Sequence, residues 1–319
     1  MRNYLVTGGA GFIGAAIVKN LLKTGNLVTV LDDFSRGSIS RLEENQNEVE
    51  FVDVDIRDSE KVFKVFKNHD FTAVIHLAYI NGTSSFYTRP EEVLDVALSG
   101  IKNVIKGIRL SKIDEFYLAS SSEVYQNPEI FPTPEDIKLV VPDPNNPRYS
   151  YGLGKIVQEF MTLNLLRNLH KVIIFRPHNI YGPDMGFGHV VPELFLKMAE
   201  SNSNYIELKG NGKQKRSFCY IDDFVNAFDI LLQQNVKSGI YNIGSNFECE
   251  IIELAKKISD LYNRKFEFVN TIPPLGETSR RLPDLTKLKN LGYKAEYSID
   301  QGLEIYKNWF EDKGKKNVK

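Results

Sequence analysis

Cysteine is nearly absent: Cys219 and Cys249 are the only two in 319 residues, far apart and without C-x-x-C spacing. They support neither a disulfide framework nor a zinc site, so no metal is expected, and a reducing cytoplasm is the expected compartment. Charge of one sign is also lacking, with 40 Lys+Arg against 41 Asp+Glu and a formal net charge of −1. A nucleic-acid binder relying on nonspecific phosphate attraction is therefore not expected. No apolar run approaches the roughly 18 residues of a membrane span. The opening Met1–Gly8 enters a glycine turn too soon for the apolar region of a signal peptide, so no membrane partner is expected either.

What is present is the alternation of a doubly wound α/β chain. Short β-branched runs at Tyr4–Thr7, Leu27–Asp32, Val49–Asp53, Ala73–Leu77, Glu115–Ala119 and Val172–Arg176 read as strands. Between them Phe12–Lys23, Ser59–Lys67, Pro90–Arg109 and Ser150–Asn168 read as helices, the pattern of a parallel sheet with crossovers. The last two helices are long enough to pack on a second subunit, and a homodimer is expected. Residues 1–176 are thus expected to form a Rossmann domain, and 177–312 a smaller mixed C-terminal substrate-binding domain, with a return of the chain to the sheet left open. In that second part Val191–Ala199, Asp222–Gln233, Ile251–Tyr262 and Asp300–Phe310 read as helices, and Tyr205–Leu208, Gly239–Ile243 and Lys265–Val269 as strands. Six prolines between Pro128 and Pro147 indicate an ordered surface loop, and the lysine-rich residues 313–319 a disordered tail.

In Val6-Thr7-Gly8-Gly9-Ala10-Gly11-Phe12-Ile13-Gly14, strand, glycine turn and helix meet. Gly8 permits the tight exit from the strand, Gly11 lets a pyrophosphate approach the amides of the helix N-terminus, and Gly14 lets that helix lie close to the sheet. Asp32 follows 18 residues after Gly14, at the end of the second strand, where a carboxylate accepts both ribose hydroxyls of NAD and repels the extra phosphate of NADP. Arg36 leaves NADP as a minor alternative. Asp55 and Ile56, after the third strand, fall where the adenine would sit.

Tyr151-Gly152-Leu153-Gly154-Lys155 places a phenol and an ammonium four apart on one helix face. Tyrosine ordinarily titrates near 10, and a fixed lysine cation together with a positive nicotinamide favours the phenolate that takes a proton from a substrate alcohol. The hydroxyl-rich Ser120-Ser121-Ser122-Glu123 ends the fifth strand, at the carboxyl edge where doubly wound sheets bind ligands.

With the turn TGGAGFIG, Asp32-Asp33, His76-Leu77-Ala78, SSSEVY, YGLGK, Arg176-Pro177-His178-Asn179-Ile180-Tyr181-Gly182-Pro183, Arg216-Ser217-Phe218, Tyr241-Asn242-Ile243-Gly244 and Arg281-Leu282-Pro283-Asp284, the chain resembles the extended short-chain dehydrogenase/reductases, specifically the nucleotide-sugar epimerase/dehydratase group. The resemblance implies NAD bound by Gly8, Gly11, Phe12, Ile13, Gly14, Asp32, Asp33, Asp55, Ile56, Leu77, Ala78 and Lys155. It implies a nucleoside-diphosphate sugar bound between the domains and oxidised at C4. It assigns the catalytic hydroxyl to Ser121, the base to Tyr151 and the lowering of the tyrosine pKa to Lys155. Asn179, Arg216 and Arg281, with His189-Val190, match positions that hold the substrate diphosphate.

After C4 oxidation the resemblance leaves epimerisation, dehydration or release of the 4-keto sugar, with decarboxylation or a catalytically silent dinucleotide-binding regulator as alternatives. Glu123 stands where such enzymes place an acid/base near C5 and leans against plain epimerisation. Ser122 stands in place of an aspartate, Ala97 in place of a frequent asparagine and Gln126 in place of a glycine. The segment Ala78–Tyr87 lacks the small residues common there and is expected to wall the sugar pocket, with Tyr79, Asn81 and Thr83 toward hydroxyls.

Overall fold

The strand-forming runs alternate their side chains between two apolar layers, as a sheet covered on both faces requires. The computed structural model, which describes residues 1–273 and 275–312, has strands β1 (Asn3–Thr7), β2 (Leu27–Asp32), β3 (Val49–Asp53), β4 (Ala73–His76), β5 (Glu115–Ala119) and β6 (Lys171–Pro177). Val6, Ile75, Tyr117 and Phe175 pack with the helices Phe12–Lys23 and Ile221–Leu232. Leu5, Val74, Phe116 and Ile174 face the helices Ser59–Asn68 and Ile101–Leu110 on the other side.

The sheet has seven parallel strands in the order Gly239–Ile243, β6, β5, β4, β1, β2, β3. The chain winds outward from β1 through β2 and β3, then from β4 in the opposite direction. That reversal opens a crevice at the carboxyl ends of β1 and β4.

Gly239–Ile243, expected among the strands of the second domain, pairs with β6 instead. The chain therefore returns to the sheet after an excursion. The helix Ile221–Leu232 comes with it, bonding Asn20 to Asp229 (3.1 Å) and setting Phe228 against Phe175 (ring centroids 5.0 Å apart). Among the described residues the rest of the chain has three small sheets: Ile180–Tyr181 with Cys219–Tyr220, Tyr205–Leu208 with Glu267–Asn270, and Lys215–Ser217 between Glu248–Glu250 and Arg280–Arg281. The expected helix Pro90–Arg109 is α-helical over Pro90–Asp95 and Ile101–Leu110, with a π turn at Val96–Gly100 between them. Thr83–Thr88, expected as loop, forms a short helix. The proline-rich stretch holds no helix or strand until the 3-10 turn Pro147–Tyr149, and Thr133 bridges to Pro283. The tail 313–319 lies outside the described residues. Among the described residues no helix is long and apolar enough to cross a membrane.

Candidate active site

A cleft of about 920 Å³ runs over the carboxyl ends of the central strands and under the cap. At one end the glycine turn meets the helix Phe12–Lys23. A Cβ on Gly14 would sit 2.2 Å from the Gly8 carbonyl oxygen, so only glycine lets the helix start lie against the turn. The first N–H groups of a helix have no intrahelical acceptor, which suits a diphosphate there. Asp32, 7% exposed, has no cation bonded to it among the described residues: its two oxygens accept from the backbone N–H groups of Ala10 and Phe34, both at 3.0 Å. Burial raises its pKa. A carboxylate so placed keeps lone pairs for neutral hydroxyls. Asp33 accepts from Ser35, and Asp55 is held by Arg57 (2.6 Å). Arg41 spends its guanidinium on the carbonyls of Ala10, Arg36 and Asp184.

Further along the cleft, Ser121 ends the extension of β5 and caps the 3-10 turn Ser122–Tyr125 by accepting from the Glu123 N–H (3.1 Å). Tyr151 and Lys155 project from the helix Ser150–Leu165. The Tyr151 phenol is 6% exposed beneath the stacked ring of Phe86 (4.7 Å), and burial lifts its pKa to about 12, against the pull of the neighbouring Ser121 hydroxyl. The expected depression by Lys155 is absent in the free chain. Lys155 Nζ donates instead to the carbonyl of Ala119 (2.7 Å) and to Gln158 Oε1 (3.1 Å), and lies 6.0 Å from the Tyr151 ring centroid. Burial pushes Lys155 down to about 7. Gln126, the residue in place of glycine, takes a φ of 52°, the left-handed conformation that explains the usual glycine.

Beside this group stands an arginine cluster. Arg281 grips Glu123 with both Nη atoms at 2.7 Å and also donates to Thr278 Oγ1. Arg148 adds a third contact to Glu123 (3.4 Å) and bonds the Gly276 carbonyl. Arg216 donates to the carbonyls of Lys215 and Thr278, and burial brings its pKa down to about 9. Although burial opposes it, the charge of Arg281 and Arg148 holds Glu123 at about 2. Glu123 is thus held as an anion, the form that accepts a C5 proton as a base rather than donating one as an acid. Arg281, expected on the diphosphate, is engaged by Glu123. Arg148 Nη1 and Arg281 Nε are buried and find no partner among the described residues.

Every residue singled out from the sequence lines this one cleft: Gly8, Gly11, Phe12, Ile13, Gly14, Asp32, Asp33, Asp55, Ile56, Leu77, Ala78, Ser121, Glu123, Tyr151, Lys155, Asn179, His189, Val190, Arg216 and Arg281. Their engagements differ. Asn179 Nδ2 donates to the Ser217 carbonyl (2.8 Å), and His189 precedes the helix Val190–Glu200, its pKa lowered to about 4 by burial and by Arg36. Tyr79 points its hydroxyl into the protein, where it finds no partner, rather than at a sugar. Arg148 was not anticipated, although its place three residues before Tyr151 sets it at the same helix entrance. Phe86 was hidden by the reading of its segment as loop.

The model of the NAD dependent epimerase/dehydratase family matches residues 4–244. The chain is 31% identical to a UDP-N-acetyl-alpha-D-glucosaminuronate decarboxylase of Bacillus cytotoxicus, covering 98% of each. It is 33% identical to a putative UDP-glucose 4-epimerase of Methanocaldococcus jannaschii, covering 97% of this chain and 98% of the relative. A UDP-glucose 4-epimerase from Thermotoga maritima, solved with UDP-glucose, superposes with a TM-score of 0.87 at 27% identity over 97% of this chain and 99% of that one.

Proposed function

Because the chain belongs to the NAD-dependent epimerase/dehydratase family, we propose that it oxidises C4 of a nucleoside-diphosphate sugar bearing a C6 carboxylate and then decarboxylates it. The observation that carries this reading is the cluster of Arg148 and Arg281 around a single permanently ionised Glu123. Two guanidinium groups against one carboxylate leave a net positive site with buried, unpartnered donors, suited to a second carboxylate. Loss of water, by contrast, needs an acid for the departing hydroxyl, and Ser122 stands where the resemblance puts the aspartate for that work.

The glycine turn, the helix start at Phe12 and the Asp32 carboxylate form the cradle for NAD. Bound NAD supplies the acceptor for the C4 hydride and a positive ring beside Tyr151. Tyr151, as phenolate, takes the C4 hydroxyl proton while Ser121 holds the oxygen. The resulting ketone is β to the C6 carboxylate. The C5–C6 bond then breaks, carbon dioxide leaves, and the electron pair delocalises onto the C4 oxygen between Ser121 and Tyr151. A proton delivered to C5 from solvent completes a 4-keto pentose, the C4 hydride remaining on the cofactor. Arg148 and Arg281 hold the carboxylate in line for this step, and Arg216 and Asn179 lie toward the diphosphate.

Mass spectrometry of a panel of nucleotide sugars and their C6 acids, incubated with the protein and NAD, tests the reading. The acid is expected to lose carbon dioxide, and its recovery intact beside a processed neutral sugar would sink it. Epimerisation is the second reading, favoured by the archaeal relative, and it leaves the mass unchanged. Leu98, Phe160 and Leu163 are exposed on the helices expected to pair, which supports a homodimer. Light scattering is expected to give twice the chain mass, and Phe160→Glu to halve it.

A further inference from the structure

Two departures in sequence meet at one point in space. Tyr79 stands where the resemblance leads one to expect a small residue, and Ala97 where it leads one to expect asparagine. A Cβ on Gly154 would come within 2.2 Å of the Tyr79 hydroxyl and 2.8 Å of the Ala97 Cβ. Gly154 and Ala97 thus make room for the Tyr79 phenol. The hydroxyl gains nothing there, being buried without a partner. What the packing sets in place is the ring. Its face lies 4.0 Å from Lys155 Nζ, and it stands against Tyr151, 5.0 Å between centroids at 81°.

We propose that Tyr79 is a positioning residue for Lys155, its ring face holding the ammonium charged and aimed within the aromatic wall that carries Tyr151. The inference rests on the reading of Tyr151 and Lys155 as the hydride-step pair. Around the ammonium, β4 contributes His76, whose neutral ring offers no counter-charge, and the end of β5 contributes the Ala119 carbonyl. Its own helix contributes Gln158, Tyr151 and Glu159, the last already committed to Arg176 (2.6 Å) and Ser120. No carboxylate bonds Lys155 directly among the described residues, and burial leaves it near half-charged at neutral pH. A cation–π contact in such a desolvated place shifts that balance measurably.

The test compares Tyr79→Phe with Tyr79→Leu. Phenylalanine keeps the ring face and loses only an unpartnered hydroxyl, so its pH profile of kcat/KM for NADH formation is expected to match the wild type. Leucine removes the ring. The ammonium is then less favoured, its pKa falls, and the alkaline limb is expected to move down by about 0.5 to 1.5 pH units. Titration of the Lys155 Cε resonance by NMR, in both variants loaded with NAD, reads the same shift without turnover. Failure to decarboxylate any C6 acid would overturn the decarboxylase reading and leave the Lys155 titration to decide the role of Tyr79. Equal Lys155 titration in the two variants overturns the proposal, as does an unshifted limb in Tyr79→Leu.

Discussion

The two ends of the cleft each carry a carboxylate, Asp32 buried and Glu123 partly buried, and they are held in opposite ways. Asp32 meets only backbone N–H groups, and burial raises its pKa. Glu123 meets two guanidinium groups that bring it to about 2. The first is an anion waiting for neutral hydroxyls, while the second is the counter-ion of a site whose surplus is positive. The difference teaches that carboxylates of one cleft are assigned different work by their partners, and that each assignment can be broken separately.

The largest effect is expected from Arg281→Met. It strands Glu123 with Arg148 alone, and breaking such a buried pair costs about 3 to 5 kcal/mol. Thermal melting is expected to fall by roughly 6 °C or more, with loss of carbon dioxide release. A variant that melts with the wild type would show that the ion pair is not maintained in solution. At the other end, Asp32→Ala is expected to weaken NAD about 10- to 100-fold, the worth of hydrogen bonds to a charged group, and NADP much less. Equal losses of both by calorimetry would remove Asp32 from the ribose.

The same contrast explains what could be read from the sequence. Gly8, Gly11, Gly14 and Asp32 lie on consecutive elements, so spacing alone conveys their geometry, as it does for Tyr151 and Lys155 one helical turn apart. The Glu123 cluster is assembled from residues 25 and 158 positions away. Glu123 and Arg281 stand out singly in the sequence and Arg148 does not, and nothing local tells that the three meet. Distance in the chain likewise hid the return of Gly239–Ile243 to the sheet, because a five-residue strand carries no mark of its partner, here Ile173–Pro177. The bonding of Lys155 was not legible for a further reason: one helical turn fixes a common face with Tyr151 but not the Ala119 carbonyl to which the ammonium donates.

The smallest expected effect is the one that compares the two carboxylates directly, through the pH dependence of melting. Glu123 is depressed from 4.5 to about 2, so its contribution is present above its ordinary pKa and is lost as pH falls through 4.5 toward 2. Asp32 is raised, so its contribution is present below its ordinary 3.8 and is lost as pH rises through the folded value. Replacing each by its amide removes its titration. The melting temperature of Glu123→Gln relative to wild type is expected to fall as pH rises from 2 to 4.5. That of Asp32→Asn is expected to climb as pH rises above 3.8. An asparagine leaves one of the two N–H groups without its acceptor, but that loss does not vary with pH and offsets the curve without changing its slope. Slopes of the same sign would mean that one of the two carboxylates has exchanged its partners in solution, and the acid-side curve of Glu123→Gln would say whether Arg281 had let go.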